Sequence, residues 1–243
     1  MEQFDLQHSF CAALAGVPLT CSVHFRETAA FFGPDCREVP FASDGVHAHA
    51  AQLRYWMQGG KPVDAVAEFS MLAGGCSDAL LPHARCVIHA AAIRFRGRAW
   101  LFAAAPGVGK STQIRTLMEL YPGRFSVICG DRPILECRDD GSVLVYPSPW
   151  NGKENWGGAD AAPLAGIFCL LRGEKTSLAL YSEKEAVLPV LRAMISNYES
   201  EETVRQLAAL EERILKAAPV YRYVNGGVPD SSRYLYECVL EKE

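Results

Sequence analysis

The sequence predicts an α/β fold with a mixed sheet, and three observations carry that reading. A run with strand character leads into a glycine-containing loop and then into helical spacing, in that order, along residues 99–121. Paired apolar runs flank turn residues to give two β-hairpins, one over 86–105 about Arg96-Gly97 and one over 133–146 about Asp139-Asp140-Gly141. Amphipathic patterns gather late in the chain, at 183–197 and 201–217, and predict C-terminal helices packed on the core.

In chain order, residues 18–25 have strand character, and turn signals follow at Gly33-Pro34 and Gly59-Gly60. A helical stretch over 63–81 closes this part. The apolar run 86–95, rich in small residues, reads as one strand, and 99–105 reads as its hairpin partner. After the loop, Ile114, Leu117, Met118 and Tyr121 recur at helical spacing until Pro122-Gly123 stops them. Strands are expected at 125–129, 133–137, 143–146 and 165–171, with a last one at 220–224 before a short terminal helix. Ser200 or Glu201 marks the start of the helix over 201–217.

At 243 residues, 49% hydrophobic and 21% charged, the chain can bury one large core or one and a half. The expected division is an N-terminal α+β elaboration (1–82) packed on a core domain (83–243), with one continuous domain as the alternative. Against 28 acidic residues stand 24 Lys and Arg, a formal charge of -4 with no basic cluster, so no nucleic-acid partner is expected. The ligand is small, or a protein. No apolar run reaches the roughly 18 residues of a membrane span; the longest, 161–171, lies between Asp160 and Arg172 and reads as a buried strand. Glu2 and Asp5 stand where a secretory signal carries positive charge. Nine scattered cysteines with no C-x-x-C pair fit a reduced cytoplasm rather than disulfides or structural zinc. His47 and His49 would share one face of a strand, but no third metal ligand stands near them.

Chemistry concentrates in Ala104-Ala105-Pro106-Gly107-Val108-Gly109-Lys110-Ser111-Thr112, which matches G-x-x-x-x-G-K-[ST] except that Ala104 replaces the first glycine. In such a loop successive backbone N–H groups form an anion nest and the following helix adds its positive end. Ala105, Pro106, Gly107, Val108, Gly109, Lys110, Ser111 and Thr112 are therefore the candidate nucleotide-binding residues. Lys110 would reach the terminal phosphates and Ser111 would hold magnesium. Ala104 is tolerable if the left-handed positions of the loop fall at Gly107 and Gly109. The plainer alternative, a turn with a solvated Lys110, does not need the strand and helix that flank it.

His89, the hairpin, the sequence Ala-Pro-Gly-Val-Gly-Lys-Ser-Thr, and an aspartate after the next strand together resemble the catalytic domain of HPr kinase/phosphorylase. That family belongs to the phosphoenolpyruvate carboxykinase-like superfamily. Residues 86–175 carry the likeness, and 63–238 resemble a bacterial group with Gly-Asp-Lys/Arg-Pro and Pro-Trp-x-Gly-Lys. The resemblance implies a phosphoenolpyruvate carboxykinase-like nucleotide-binding core, ATP and Mg2+ as cofactors, and phosphoryl transfer to an unspecified hydroxyl of a protein, peptide or small molecule. It matches Lys110 to the phosphate-binding lysine, Ser111 to the metal-binding hydroxyl and His89 to the histidine near the terminal phosphate.

Where the family has two adjacent aspartates, this sequence has Gly130-Asp131, so one carboxylate must serve as base or as metal ligand. Asp131, His89 and Lys153 are the candidate catalytic residues, and Ser111 with Asp131 the candidate metal ligands. For His89 a satisfied core histidine is the alternative, and for Asp131 a turn residue before Pro133. The cluster Pro147-Ser148-Pro149-Trp150-Asn151-Gly152-Lys153-Glu154 reads as a shaped loop in which Trp150 buttresses and Lys153 contacts phosphate or acceptor, with Trp156 in the same wall. Ala104 and the single aspartate also leave room for a non-catalytic nucleotide-sensing or scaffold protein. Carboxykinase chemistry on a keto acid is disfavoured by the short chain. The sequence is compatible with an oligomer.

Overall fold

A computed structural model of the chain describes residues 6–48, 52 and 63–242. Its twelve described strands form two sheets. A three-stranded antiparallel sheet is built from β1 (His8–Leu14), β2 (Val17–Val23) and β3 (Arg37–Val39) in the order β2-β1-β3. Its inner face, Phe10, Ala12, Leu14, Leu19, Cys21 and Val23, packs with Leu72, Cys76 and Leu80 of α1 (Ala65–Leu80). Asp64 starts α1 by accepting the Ala67 N–H at 2.9 Å. One turn on, the fully buried Glu68 carboxylate accepts from the His24 and Phe25 backbone N–H groups and the Thr28 hydroxyl. A buried charge is tolerated when it is this fully hydrogen-bonded. The turn at 59–60 and His49 lie outside the described residues; His47 is described and lies in no strand.

The larger sheet has nine strands. Its hub is β10 (Ala162–Arg172), nearly all buried between its ends, as suits a strand covered on both faces. β6 (Arg98–Ala103) and β12 (Val220–Asn225) flank it in parallel. Beyond β6 lie β5 (Ala90–Phe95) and β7 (Phe125–Cys129), and beyond β12 lies β11 (Ser177–Leu180). The first residues of β10 pair antiparallel with β9 (Val143–Tyr146), which continues to β8 (Ile134–Cys137) and β4 (Arg85–Val87). The sheet is therefore mixed. Both predicted hairpins are present, the first turning through Arg96 and Gly97 at φ 47° and 78°.

Two expectations are corrected. The run 86–95 is not one strand: β4 pairs with β8, β5 pairs with β6 and β7, and Ile88 and His89 join them. The helix expected over 183–197 is α3 (Glu183–Ala193), opened by a capping box between Ser182 and Glu185. It stops because the next residues pair elsewhere: Met194 bridges Ile88, and the Ile195 N–H donates to the Val87 carbonyl at 2.9 Å. The same chain segment thus breaks the strand and ends the helix. The remaining helices are α2 (Lys110–Leu120), α4 (Glu201–Ala217), capped by Ser200, and α5 (Asp230–Cys238).

One apolar cluster lies under α3 and α4, and another under α2 and α5, on opposite sides of β5, β6 and β10. The N-terminal cluster also contains Val87, Ile134 and Trp150, so residues from beyond position 82 complete it. No helix among the described residues is long and apolar enough to cross a membrane. All nine cysteines are free.

Candidate functional site

The loop between β6 and α2 follows directly from the hairpin strand. Gly107 and Gly109 have φ 78° and 112°, in the left-handed region, and a Cβ at either would touch nothing within 4 Å. Backbone conformation, not crowding, is what requires glycine here. Ala104 needs no positive φ, so the departure from the usual first glycine is accommodated. Arg172, at the end of β10, donates to the Gly107 carbonyl at 2.6 Å and to the Val108 carbonyl at 3.3 Å. By holding those carbonyls it fixes the adjoining peptide planes of the loop. Neither the loop pattern nor the strand pattern singles out Arg172, because its partners are backbone atoms more than sixty residues away.

His89 is placed by the strand break. Its N–H donates to the Ala193 carbonyl at 2.7 Å, which turns its side chain toward the loop. There Lys110 Nζ lies 2.7 Å from His89 Nε2 and 3.3 Å from the Ala104 carbonyl. Asp131 Oδ1 lies 3.2 Å from the same Nε2 and 3.8 Å from Lys110 Nζ, and Arg132 Nε lies 3.4 Å from Asp131 Oδ2. Three of the residues singled out from sequence, His89, Lys110 and Asp131, thus meet, and Arg132 joins them. One ring nitrogen cannot accept from an ammonium and donate to a carboxylate at once, so the trio has two exclusive proton arrangements.

Burial pushes the Asp131 carboxyl up, but its hydrogen bond and charge interaction with His89, then Arg132 and Lys110, outweigh that and hold it below the ordinary carboxylate range. Burial dominates at Lys110 and pulls its ammonium below the usual lysine value despite the attraction of Asp131. Each partner's charge favours the other's ionisation, yet the lysine shifts the unfavourable way. Desolvation therefore exceeds the pairing at Lys110, and not at Asp131.

The second shaped loop wraps around Gly130 and Asp131. Arg132 N–H donates to the Trp150 carbonyl at 3.1 Å, and the Ser148 hydroxyl to the Arg132 carbonyl at 2.5 Å. Trp150 is 3% exposed, stacks on Phe69 with ring centroids 5.5 Å apart, and donates Nε1–H to the Phe69 carbonyl at 2.8 Å. A Cβ on Gly130 would lie 2.3 Å from the Asn151 carbonyl oxygen and 3.1 Å from that of Trp156. The position where a second aspartate would stand is filled by this loop's backbone. Lys153 is exposed and makes no hydrogen bond or ion pair among the described residues, although its neighbour Gly152 packs on Asp131. Trp156 closes the loop's far end under the Arg115 guanidinium, 5.4 Å from its ring centre.

Among the described residues no group of three or more His, Cys, Asp or Glu side chains could hold a metal ion. Ser111, whose hydroxyl has no partner there, and Asp131 offer oxygen donors. Magnesium is usually bound by one or two carboxylates together with substrate phosphates, so this pair fits an ion delivered with a nucleotide rather than a standing one.

Two cavities meet at His89, Pro106, Arg192 and Ala193. One, of about 610 Å³, lies beyond the carboxyl ends of β6 and β10, lined by Ala103, Ala104, Leu170, Tyr181 and Pro189. Ligands of open α/β sheets bind at such strand ends. The other, of about 700 Å³, lies between α1 and the segment that follows α3.

No protein-family model and no curated protein matches the chain. Among solved structures, the HPr(Ser) kinase/phosphatase from Coxiella burnetii is similar, at 11% identity over 64% of this chain and 95% of that chain, with a TM-score of 0.37. That is a distant structural relationship.

Proposed function

We propose that the chain binds ATP with magnesium and transfers the terminal phosphoryl group to a hydroxyl of an acceptor. The observation that carries this reading is the meeting of Lys110, His89 and Asp131 beside a loop whose two glycines have the dihedrals of an anion nest. The loop N–H groups and the start of α2 hold the phosphates. Lys110 leaves His89 and Asp131 to reach them, exchanging one set of charged partners for another. Asp131, held ionised, accepts the proton of the acceptor hydroxyl. His89, released by Lys110, is free to donate to oxygens of the transferring group, where positioned donors stabilise developing charge. Ser111 would hold the magnesium ion, which neutralises phosphate charge when bound, and Asp131 is left as the base.

A second reading, nucleotide sensing without catalysis, is favoured by one observation: the Asn151 carbonyl leaves no room for a side chain at Gly130, so Asp131 works alone. Labelled ATP separates the two. Lys110→Met should weaken nucleotide binding about 10- to 100-fold, the worth of a charge-assisted contact. For a kinase, Asp131→Asn should lower phosphoryl transfer roughly 100- to 10,000-fold while binding persists. Tight binding with no ATP consumption, indifferent to Asp131→Asn, would leave the sensing reading.

A further inference from the structure

We propose that the cavity between α1 and the segment after α3 takes the acceptor by an anionic group, so that the acceptor is a small hydroxyl compound already bearing a phosphate or carboxylate. This deepens the phosphoryl-transfer reading and rests on it.

The cavity's about 700 Å³ lies within the roughly 300–1,000 Å³ typical of small-molecule sites. Its polar lining is Ser70, His89, Arg132, Arg192, Ser196 and Asn197, besides Gln52, and no carboxylate lines it among the described residues. Asp131 balances Arg132 at 3.4 Å, so Arg192 is the guanidinium on this cavity with no carboxylate partner among the described residues. Ordinary surface patterning intersperses the signs.

The two arginines differ in a useful way. Arg132 is fixed: Nη1 donates to the Ser70 carbonyl at 2.7 Å, Nη2 lies 3.1 Å from the Ser70 hydroxyl, and Nε faces Asp131. Arg192, in the last turn of α3, has no hydrogen bond or ion pair among the described residues and borders both cavities. A last-turn cation also suits the helix dipole, and because Arg192 is exposed its five donors face solvent and can turn to an anion. Guanidinium is the side chain best matched to phosphate and carboxylate.

The segment after α3 is tied to α1. Ser196 donates to Asp78 at 2.5 Å and the Asn197 N–H to the same carboxylate at 3.0 Å, so Asp78 is engaged behind the wall. Gly74 allows that wall to close, since a Cβ there would lie 2.2 Å from Asn197 Oδ1. An anion held between Arg192 and Arg132 sits one guanidinium away from Asp131. A hydroxyl of the same small molecule can then meet Asp131 and the phosphoryl group at His89, where the cavities join.

Arginine modification by phenylglyoxal on the full chain, mapped by mass spectrometry, tests this. The probes are inorganic phosphate, glycerol 3-phosphate, citrate, uncharged glycerol and a glutamate-rich hexapeptide. We expect the small anions, and not glycerol, to protect Arg192. We also expect Arg192→Gln to weaken their binding about tenfold or more, and by more than it weakens that of a fluorescent ATP analogue. The proposal is overturned if no small anion protects Arg192, if only the peptide does, or if Arg192→Gln binds the anions as before. Protection of Arg192 in a chain that binds no nucleotide would retain the anion site and remove its role as acceptor site, so the two failures are distinguishable.

Discussion

Two pairs of glycines, in the segments that meet at Lys110 and Asp131, exclude side chains for opposite reasons. Gly107 and Gly109 have open space around them and left-handed backbones, so only their dihedrals exclude a side chain. Gly130 and Gly157 have no such dihedral, but a Cβ would lie 2.3 Å from the Asn151 carbonyl oxygen at the first and 2.6 Å from Asn151 Oδ1 at the second. The first pair answers to its own backbone, the second to Asn151, which lies about twenty residues along the chain from Gly130 and folds back on Gly157 within its own loop. Local requirements leave a sequence pattern; crowding by a distant segment does not.

The largest test of that contrast is Trp150→Ala. Trp150 anchors the loop that crowds Gly130, and truncating a buried tryptophan typically costs about 3–5 kcal/mol. Urea unfolding should show a loss of that size, with backbone shifts at Gly130 and Asp131 in amide spectra. A loss under about 1 kcal/mol would mean that the loop is not held through this ring.

Next in size is the paired substitution Gly130→Ala against Gly109→Ala. Overpacking against rigid backbone costs about 1–3 kcal/mol or more, and a left-handed alanine about 1–2 kcal/mol. Both should lower the melting temperature, Gly130→Ala by more. Only Gly109→Ala should change nucleotide affinity more than it changes stability, because its strain falls on the nest. Gly130→Asp, which would recreate the aspartate pair, should be less stable than Gly130→Ala and gain no transfer activity. A stable and faster Gly130→Asp enzyme would sink the claim that the loop occupies that position.

The same division explains how much of the fold and the candidate site is legible in the sequence. The strand-loop-helix order over 98–120, both hairpins, β7, β9 and α4 carry local signals, either apolar periodicity or turn and cap residues, and they stand where those signals put them. β1, with the sequence His-Ser-Phe-Cys-Ala-Ala-Leu, has few residues of strong strand propensity and is held by its neighbours β2 and β3. The break at Ile88 and His89 was hidden because the apolar run continues through it; the partner that interrupts it, Met194, is over a hundred residues away. His89 was found through its neighbours in sequence. Arg132, Arg172 and Arg192 were not singled out, since arginine near a strand or helix end reads as solvated charge until the fold shows what it faces.

The smallest expected effect concerns the charge cluster that joins the two loops. With its folded-state carboxyl held below the ordinary range, Asp131 contributes stability that is present above the unfolded value of about 4 and is lost as pH falls below it toward the folded value. The melting-temperature difference between the native chain and Asp131→Asn should therefore shrink from pH 6 to pH 3. Lys110 has the opposite sign: burial depresses its pKa, so its charge is a burden on the ligand-free fold at neutral pH, relieved only as pH rises toward the unfolded lysine value of about 10.4. Lys110→Met should then melt slightly higher than the native chain without nucleotide and lose the stabilisation that nucleotide gives. If instead Lys110→Met melts lower at neutral pH, its contacts with His89, Ala104 and Asp131 outweigh desolvation, and the lysine holds the loop closed rather than waiting for phosphate.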